Sequence, residues 1–359
     1  GADKYYISNY VYNESINLRP LPGSAVNFKT IDADSNSNNG AFIAPMILDS
    51  NLDILYADYT TSAGVYQIRR YGNLKGGGPA TRTTFSNALL TASPTAFAIS
   101  PYTTTATVLL VGTRLGKLYR IPTANTYTGN ASTTGTWVEI TGPSFVGSIS
   151  DIEFGSSNNE IFVTMHNYNV VSIWYTNNGG ATWQNKEGNF PDIPVKAILQ
   201  NPLNLEEVII GTELGVWYTN NFSAASPTWN QSYNGMSNVK VTDLDLRNDN
   251  VVFAATYGRG LFSGQFTSAI LLSEDNYENT KGINIYPNPV RDNINISYNQ
   301  AIGNVLIEIY DLSGKKVFNS NAELIGANFQ LNLGSIQTGT YIIKIKGDNF
   351  NHTQKIIKK

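Results

Sequence analysis

Three Thr-Trp pairs, Thr136-Trp137, Thr182-Trp183 and Thr228-Trp229, recur at intervals of 46 residues. A constant interval of that length restricts a chain to repeat architectures, in which each unit is too small to bury its own apolar face and must stack on its neighbours. Ahead of each pair lies a short segment ending in an aromatic: Lys117-Leu118-Tyr119, Ile173-Trp174-Tyr175 and Val216-Trp217-Tyr218, joined by Gly64-Val65-Tyr66 upstream and Gly260-Leu261-Phe262 downstream. Ahead of those lie apolar runs at 54–57, 108–113, 161–164, 208–212 and 251–255, separated by turn residues such as Asp49-Ser50-Asn51 and Asn201-Pro202-Leu203-Asn204. The pattern predicts short strands. Units of about 45 residues, each with several short strands and a recurring aromatic mark, predict an all-β chain whose residues 1–266 are β-propeller blades, five plus a leading partial one.

The segment from Thr176 to Trp183 resembles the Asp-box, Ser-x-Asp-x-Gly-x-Thr-Trp, or BNR repeat, of sialidase-, sortilin- and xyloglucanase-like propellers, with Thr and Asn in place of Ser and Asp. The other copies are degenerate: an insertion parts Thr219-Asn220-Asn221 from Thr228-Trp229, and only Gly135-Thr136-Trp137 remains of the earlier one. The motif describes a hairpin. Thr176, Asn178, Gly180, Thr182 and Trp183 are read as structural: Asn178 bonding backbone amides as an Asx-turn, Gly180 taking positive φ, and Trp183 lying between neighbouring blades. Trp137, Trp183 and Trp229 should then occupy equivalent buried places. Tyr257-Gly258-Arg259-Gly260-Leu261 resembles the last inner strand of such propellers, and leaves Arg259 either lining a central channel or solvated in a turn.

Composition narrows the class further. Charged residues make up only 14%, the formal net charge is -3, and no basic run is interleaved with aromatic residues, so nucleic acid is excluded as a partner. There is no cysteine, which removes disulfides, thiolate metal sites and cysteine nucleophiles together. No apolar run approaches the ~20 residues of a membrane helix. The chain enters a strand-like pattern directly from Gly1-Ala2-Asp3-Lys4, which leads us to expect a start inside a domain, with further blades upstream.

Residues 267–281 read as a linker, with a short apolar run followed by an acidic polar stretch. Seven short period-2 segments follow, at 283–286, 293–298, 305–311, 316–319, 329–333, 341–346 and 353–357, and predict a small immunoglobulin-like β-sandwich over 282–359. Asp311-Leu312-Ser313-Gly314 predicts a tight hairpin turn. Tyr286-Pro287-Asn288-Pro289 near its start, Gly339-Thr340-Tyr341 before its end, and the closing Lys358-Lys359 together closely resemble the type A sorting domain of type IX secretion. That resemblance implies export through the periplasm and an outer-membrane translocon with its shuttle proteins. It also implies delivery to a surface sortase-like peptidase and a secreted or cell-surface location on a Gram-negative bacterium. An accessory sandwich that binds polysaccharide is the alternative. Pro287 and Pro289 are expected to hold the first strand at a sheet edge, Gly339 to free the turn before Tyr341, and Lys358 and Lys359 to form a free basic handle. Eight Lys or Arg against five Asp or Glu give this segment +3 and leave -6 for the rest.

No residue is assigned a catalytic role. The two histidines, His166 in a turn and His352 in the last hairpin, have no Ser/His/Asp context. The carboxylates Asp58, Asp151, Glu153, Asp243 and Asp245 read as strand-end residues. The loop from Asp32 through Asp34 to Gly40 alternates oxygen side chains as calcium loops do, but its twelfth position is Ile43 rather than an acid, so Asp32 and Asp34 remain either a calcium site or a polar loop. We therefore expect an exported protein, a substrate of type IX secretion, whose propeller is a binding module for glycan or another surface component. The alternative is a secreted glycoside hydrolase with catalytic residues partly upstream.

Overall fold

The computed structural model describes residues 5–9, 11–13, 15–20, 29–33, 39–76, 78–232, 235–236, 238–247, 249–266, 283–298, 303–325, 328–347 and 350–359. The expected linker at 267–281 and Asp34 lie outside them. The chain divides into two compact units, Gly1–Ile270 and Leu271–Lys359.

In the first unit every sheet is antiparallel with its strands in chain order. The sheets comprise β1 (Tyr5–Asn9), β2 (Ile16–Pro20) and β3 (Lys29–Asp32); β4 (Met46–Asp49), β5 (Ile54–Asp58), β6 (Ile68–Gly72) and β7 (Thr81–Phe85); and β8 (Pro94–Ile99), β9 (Leu109–Thr113), β10 (Leu118–Ile121) and β11 (Val138–Glu139). They continue with β12 (Ile149–Phe154), β13 (Ile161–Met165), β14 (Ile173–Thr176) and β15 (Gln184–Asn185); β16 (Val195–Gln200), β17 (Val208–Thr212), β18 (Gly215–Thr219) and β19 (Asn230–Ser232); and β20 (Val241–Leu246), β21 (Val251–Thr256) and β22 (Gly260–Gln265). The runs expected at 54–57, 108–113, 161–164, 208–212 and 251–255 are the second strands. Gly64-Val65-Tyr66 is not a strand. Its turn, closed by Gly64 N–H to Thr61 O (2.9 Å), lies in the loop before β6, and Tyr71 of β6 is the buried aromatic instead.

The first strands lie side by side, β4 beside β8, β8 beside β12, β12 beside β16 and β16 beside β20. Each of the last four has a register shift at the same place, between Pro94 and Ala96, Ile149 and Asp151, Val195 and Ala197, and Val241 and Asp243. In the first two of these the bulge aims a hydroxyl at the next sheet. Thr95 Oγ1 donates to Ile149 O (2.7 Å), and Ser150 Oγ donates to Val195 O (2.6 Å).

The second unit has two antiparallel sheets. One has the order β23 (Asn284–Tyr286), β24 (Asn293–Ser297), β27 (Asn328–Asn332); the other runs β26 (Lys316–Leu324), β25 (Gly303–Asp311), β28 (Gly339–Gly347), β29 (Phe350–Lys358). Alternate residues of both, including Ile294, Ile296, Ile307, Ile309, Ile343, Ile345 and Ile356, meet in one core.

The tryptophans of the first unit occupy equivalent places. Trp137 packs among residues of the β4–β7 and β8–β11 sheets, Trp183 among those of β8–β11 and β12–β15, and Trp229 among those of β12–β15 and β16–β19. Trp183 Nε1 donates to Ile140 O and Trp229 Nε1 to Lys186 O, both at 2.9 Å and both 43 residues back. Trp229 is 1% exposed, whereas Trp183 is half-buried. Trp229→Ala should therefore cost ~3–5 kcal/mol, as for other large buried aromatics, and Trp183→Ala roughly half of that. Urea denaturation of the two variants measures both.

Candidate functional site

The Thr176 hydroxyl sits at the centre of the hairpin after β14. It accepts the N–H groups of Asn178 (3.3 Å) and Gly180 (3.1 Å) and donates to Asn178 Oδ1 (2.8 Å). Asn178 Oδ1 also accepts the N–H of Thr182 (2.9 Å), and its Nδ2 donates to Thr182 Oγ1 (2.7 Å). Gly180 has φ +94°, and a Cβ there would stand 2.7 Å from Ile140 Cβ. The copy that looks broken in sequence keeps the same network. Thr219 Oγ1 donates to Asn221 Oδ1 (2.8 Å), which accepts the Thr228 N–H (2.9 Å), with the insertion looped out between them.

The loop after each second strand is tied to the segment entering the first strand of its own sheet. Asp58 N–H donates to Pro45 O, Arg114 to Ser93, His166 to Ser148, Glu213 to Pro194 and Tyr257 to Lys240. The five loops thus emerge at one end of their sheets, and each carries an exposed apolar side chain: Val65, Leu115, Tyr168, Leu214 and Tyr257. At that end Glu213 Oε1 lies 2.7 Å from His166 Nε2 and 2.8 Å from Lys240 Nζ, linking three successive sheets through one carboxylate. Burial holds His166 below the ordinary imidazole value, although Glu213 pulls the other way. Arg259 is exposed in the loop between β21 and β22.

Asp32 is fully buried, with Arg69 Nη1 at 3.1 Å from one carboxylate oxygen and Arg82 Nη1 at 3.3 Å from the other. No group of three or more His, Asp or Glu placed for a metal occurs among the described residues.

In the second unit the opening and closing motifs are joined. Asn288 Nδ2 donates to Lys355 O (2.8 Å) and its Oδ1 accepts the N–H of Ile357 (2.9 Å). Val290 N–H donates to Ile357 O and Lys359 N–H to Val290 O, both at 2.8 Å. Residues 288–290 therefore cover the otherwise open edge of β29.

Residues 284–359 match the secretion system C-terminal sorting domain. The protein is thus exported by type IX secretion, to the cell surface or the medium. Among solved structures the chain is similar to PorZ, a surface component of the type IX secretion system of Porphyromonas gingivalis, at 13% identity and TM-score 0.35, over 96% of this chain and 61% of that one. It is also similar to Sqt1 of Chaetomium thermophilum at 11% identity and TM-score 0.47, over 82% and 78% of the two chains. No curated protein matches. No helix among the described residues is long and apolar enough to cross a membrane.

Within the sorting domain, β23 is an edge strand that ends at Tyr286, directly before Pro287 and Pro289. Gly314 has φ +83° in its turn, where Asp311 Oδ1 accepts the N–H groups of Ser313 and Lys315. Gly339 works differently from the sequence expectation. Its φ is not positive, and a Cβ would stand 3.2 Å from the Tyr341 ring, so it leaves space rather than freeing a turn. Lys358 is not a free handle either: it is buried, 3.7 Å from the Asp292 carboxylate, because its position in β29 faces inward, and only Lys359 is exposed.

Four carboxylates of the first unit repel one another. Asp151 and Glu153 on β12 face Asp243 and Asp245 on β20. Burial first, and then mutual repulsion, pushes Asp151 up to about 7 and raises Glu153 and Asp243. Asp151 Oδ2 accepts the N–H of Ile198 (2.9 Å), so this carboxylate also joins two first strands. A carboxyl whose folded pKa is raised favours the folded state while protonated, and that stability is lost as pH rises from the ordinary carboxyl range toward about 7. Glu153→Gln should raise the melting temperature at alkaline pH by on the order of 2 °C, leave it nearly unchanged at pH near 4, and flatten the slope between. Thermal melts across that range measure the effect.

Proposed function

We propose that the first unit is a set of Asp-box blades of a β-propeller that binds glycan through its loop end once the sorting domain has carried it outside. The carrying observation is that the loop between the second and third strands carries an exposed apolar side chain in each of five successive sheets, Val65, Leu115, Tyr168, Leu214 and Tyr257. Side-by-side first strands, the repeated hairpin network and the equivalent tryptophans support the propeller reading. Exposed aromatic and apolar tips among polar loops suit sugar faces. For the sorting domain we propose an immunoglobulin-like sandwich. Its two sheets share one core, and Tyr341 Oη donates to Gln337 O (2.9 Å), four residues upstream, as in a tyrosine corner. Its partners are the outer-membrane translocon, its shuttle proteins and a sortase-like surface peptidase.

Two experiments test this reading. Fusing residues 268–359 to an unrelated exported protein should bring it to the surface of a host with the pathway. Deletion of 350–359 should block that transport, and Asn288→Ala, which loosens the seam while keeping every core residue, should reduce it. Normal surface levels of both variants would leave the accessory-sandwich reading in its place. Separately, the purified chain applied to a glycan array should bind a restricted set of glycans, and Tyr168→Ala and Tyr257→Ala should each weaken that binding ~10-fold, or about 1.4 kcal/mol. A second reading, a glycoside hydrolase, is favoured by the raised pKa values of Asp151 and Glu153. Release of reducing ends from the bound glycans would select it.

A further inference from the structure

We propose that Lys196 and Lys240, with His166, form a binding site for an acidic saccharide bearing a uronate or sulfate group. This rests on the glycan-binding reading and gives it a ligand class and a place. Lys196 is the second residue of β16 and half-buried, and its ammonium makes no hydrogen bond or ion pair among the described residues. Lys240 and His166 both bond the same oxygen of Glu213, so one carboxylate faces two ammonium groups and an imidazole. One negative charge offsets one lysine and leaves the other uncompensated. The lysines feel each other: burial first, then Lys240, depresses the Lys196 pKa, and Glu213 only partly restores it. An incoming carboxylate or sulfate would relieve that repulsion and gain charge-assisted hydrogen bonds.

The surroundings select a sugar. Tyr168, two residues beyond His166, is 59% exposed, and Tyr257, whose N–H bonds Lys240 O (2.9 Å), is 77% exposed. Both stand in the loops that carry or adjoin the cationic groups, where a phenol ring can stack on the apolar face of a pyranose. Other charges at this end include Asp192, exposed and accepting the Asn169 N–H (2.7 Å), Glu187, accepting the Ser172 N–H (3.1 Å), and Arg114 and Arg259, exposed in the β9–β10 and β21–β22 loops and with no ion pair among the described residues. An acidic peptide would require a free strand edge or an anchoring groove. The apolar groups here are instead single tips of separate loops.

The test uses the full chain and four polymers: polygalacturonate, chondroitin sulfate, a neutral mannan and polyglutamate. Calorimetry should show the two acidic polysaccharides binding at least ~10-fold more tightly than the mannan, with affinity falling as sodium chloride rises from about 50 to about 500 mM because screening shortens the reach of the charges. Lys196→Gln, which breaks no hydrogen bond or ion pair among the described residues, should weaken polygalacturonate binding ~10-fold without lowering the melting temperature. Unchanged affinity in that variant overturns the proposal, as does polyglutamate binding equal to that of polygalacturonate. Mannan binding that is sensitive to Tyr168→Ala but not to Lys196→Gln, with no preference for acidic polymers, would sink the acidic ligand and leave the glycan reading standing. Binding to none of the polysaccharides would sink both.

Discussion

A sheet of three or four short strands cannot bury either of its faces, and each of three sheets of the first unit, β8–β11, β12–β15 and β16–β19, depends on an aromatic wedge between it and the one before. Trp183 and Trp229 fill that space and hydrogen-bond a carbonyl at the end of the preceding sheet, Ile140 O and Lys186 O. An indole N–H taken out of water needs a partner, and these two find one 43 residues back each time, which fixes the spacing of the sheets as well as the ring. Trp137 separates the two contributions. Its Nε1 has no partner, yet it stands in the equivalent place, held by Phe85, Tyr119 and Tyr127 with ring centroids 5.8–6.5 Å away. Aromatic packing sets the position, and the hydrogen bond adds to it.

Stacking at a constant interval has a chemical consequence. Loops and strand starts of successive sheets become neighbours, so His166, Glu213 and Lys240 meet although nothing local in the sequence relates them. The same stacking brings Asp151 and Glu153 of one sheet within electrostatic reach of Asp243 and Asp245, two sheets further on. Unlike charges meet in the first group and stabilise one another. Like charges meet in the second, and its stability depends on protonation.

The sorting domain solves a different problem. Its terminal strand would expose an unpaired edge, and an exposed edge invites pairing with other chains. Asn288 and Val290 close the last part of that edge, so the opening motif and the chain end become one structural element. In β29 and the residue after it, Lys355 and Lys359 are exposed and Lys358 is buried against Asp292.

The sequence by itself determined the all-β class, the repeat interval, the second strands, the seven strands of the sorting domain and the hairpin chemistry of Thr176 to Trp183. Each is a local property: β-branched runs, turn residues, and side chains that bond their own backbone. It also misled locally, at Gly64-Val65-Tyr66, where an aromatic after a glycine imitates a strand end, and at Gly339, where the need is for space beneath Tyr341. Only the tertiary structure decided which charges face each other, that Lys358 points inward to Asp292, and that β29 is sealed by residues some 70 positions earlier. Those outcomes depend on strand order and on the direction of each side chain across a sheet, and a period-2 pattern records the alternation of faces without saying which face meets which neighbour.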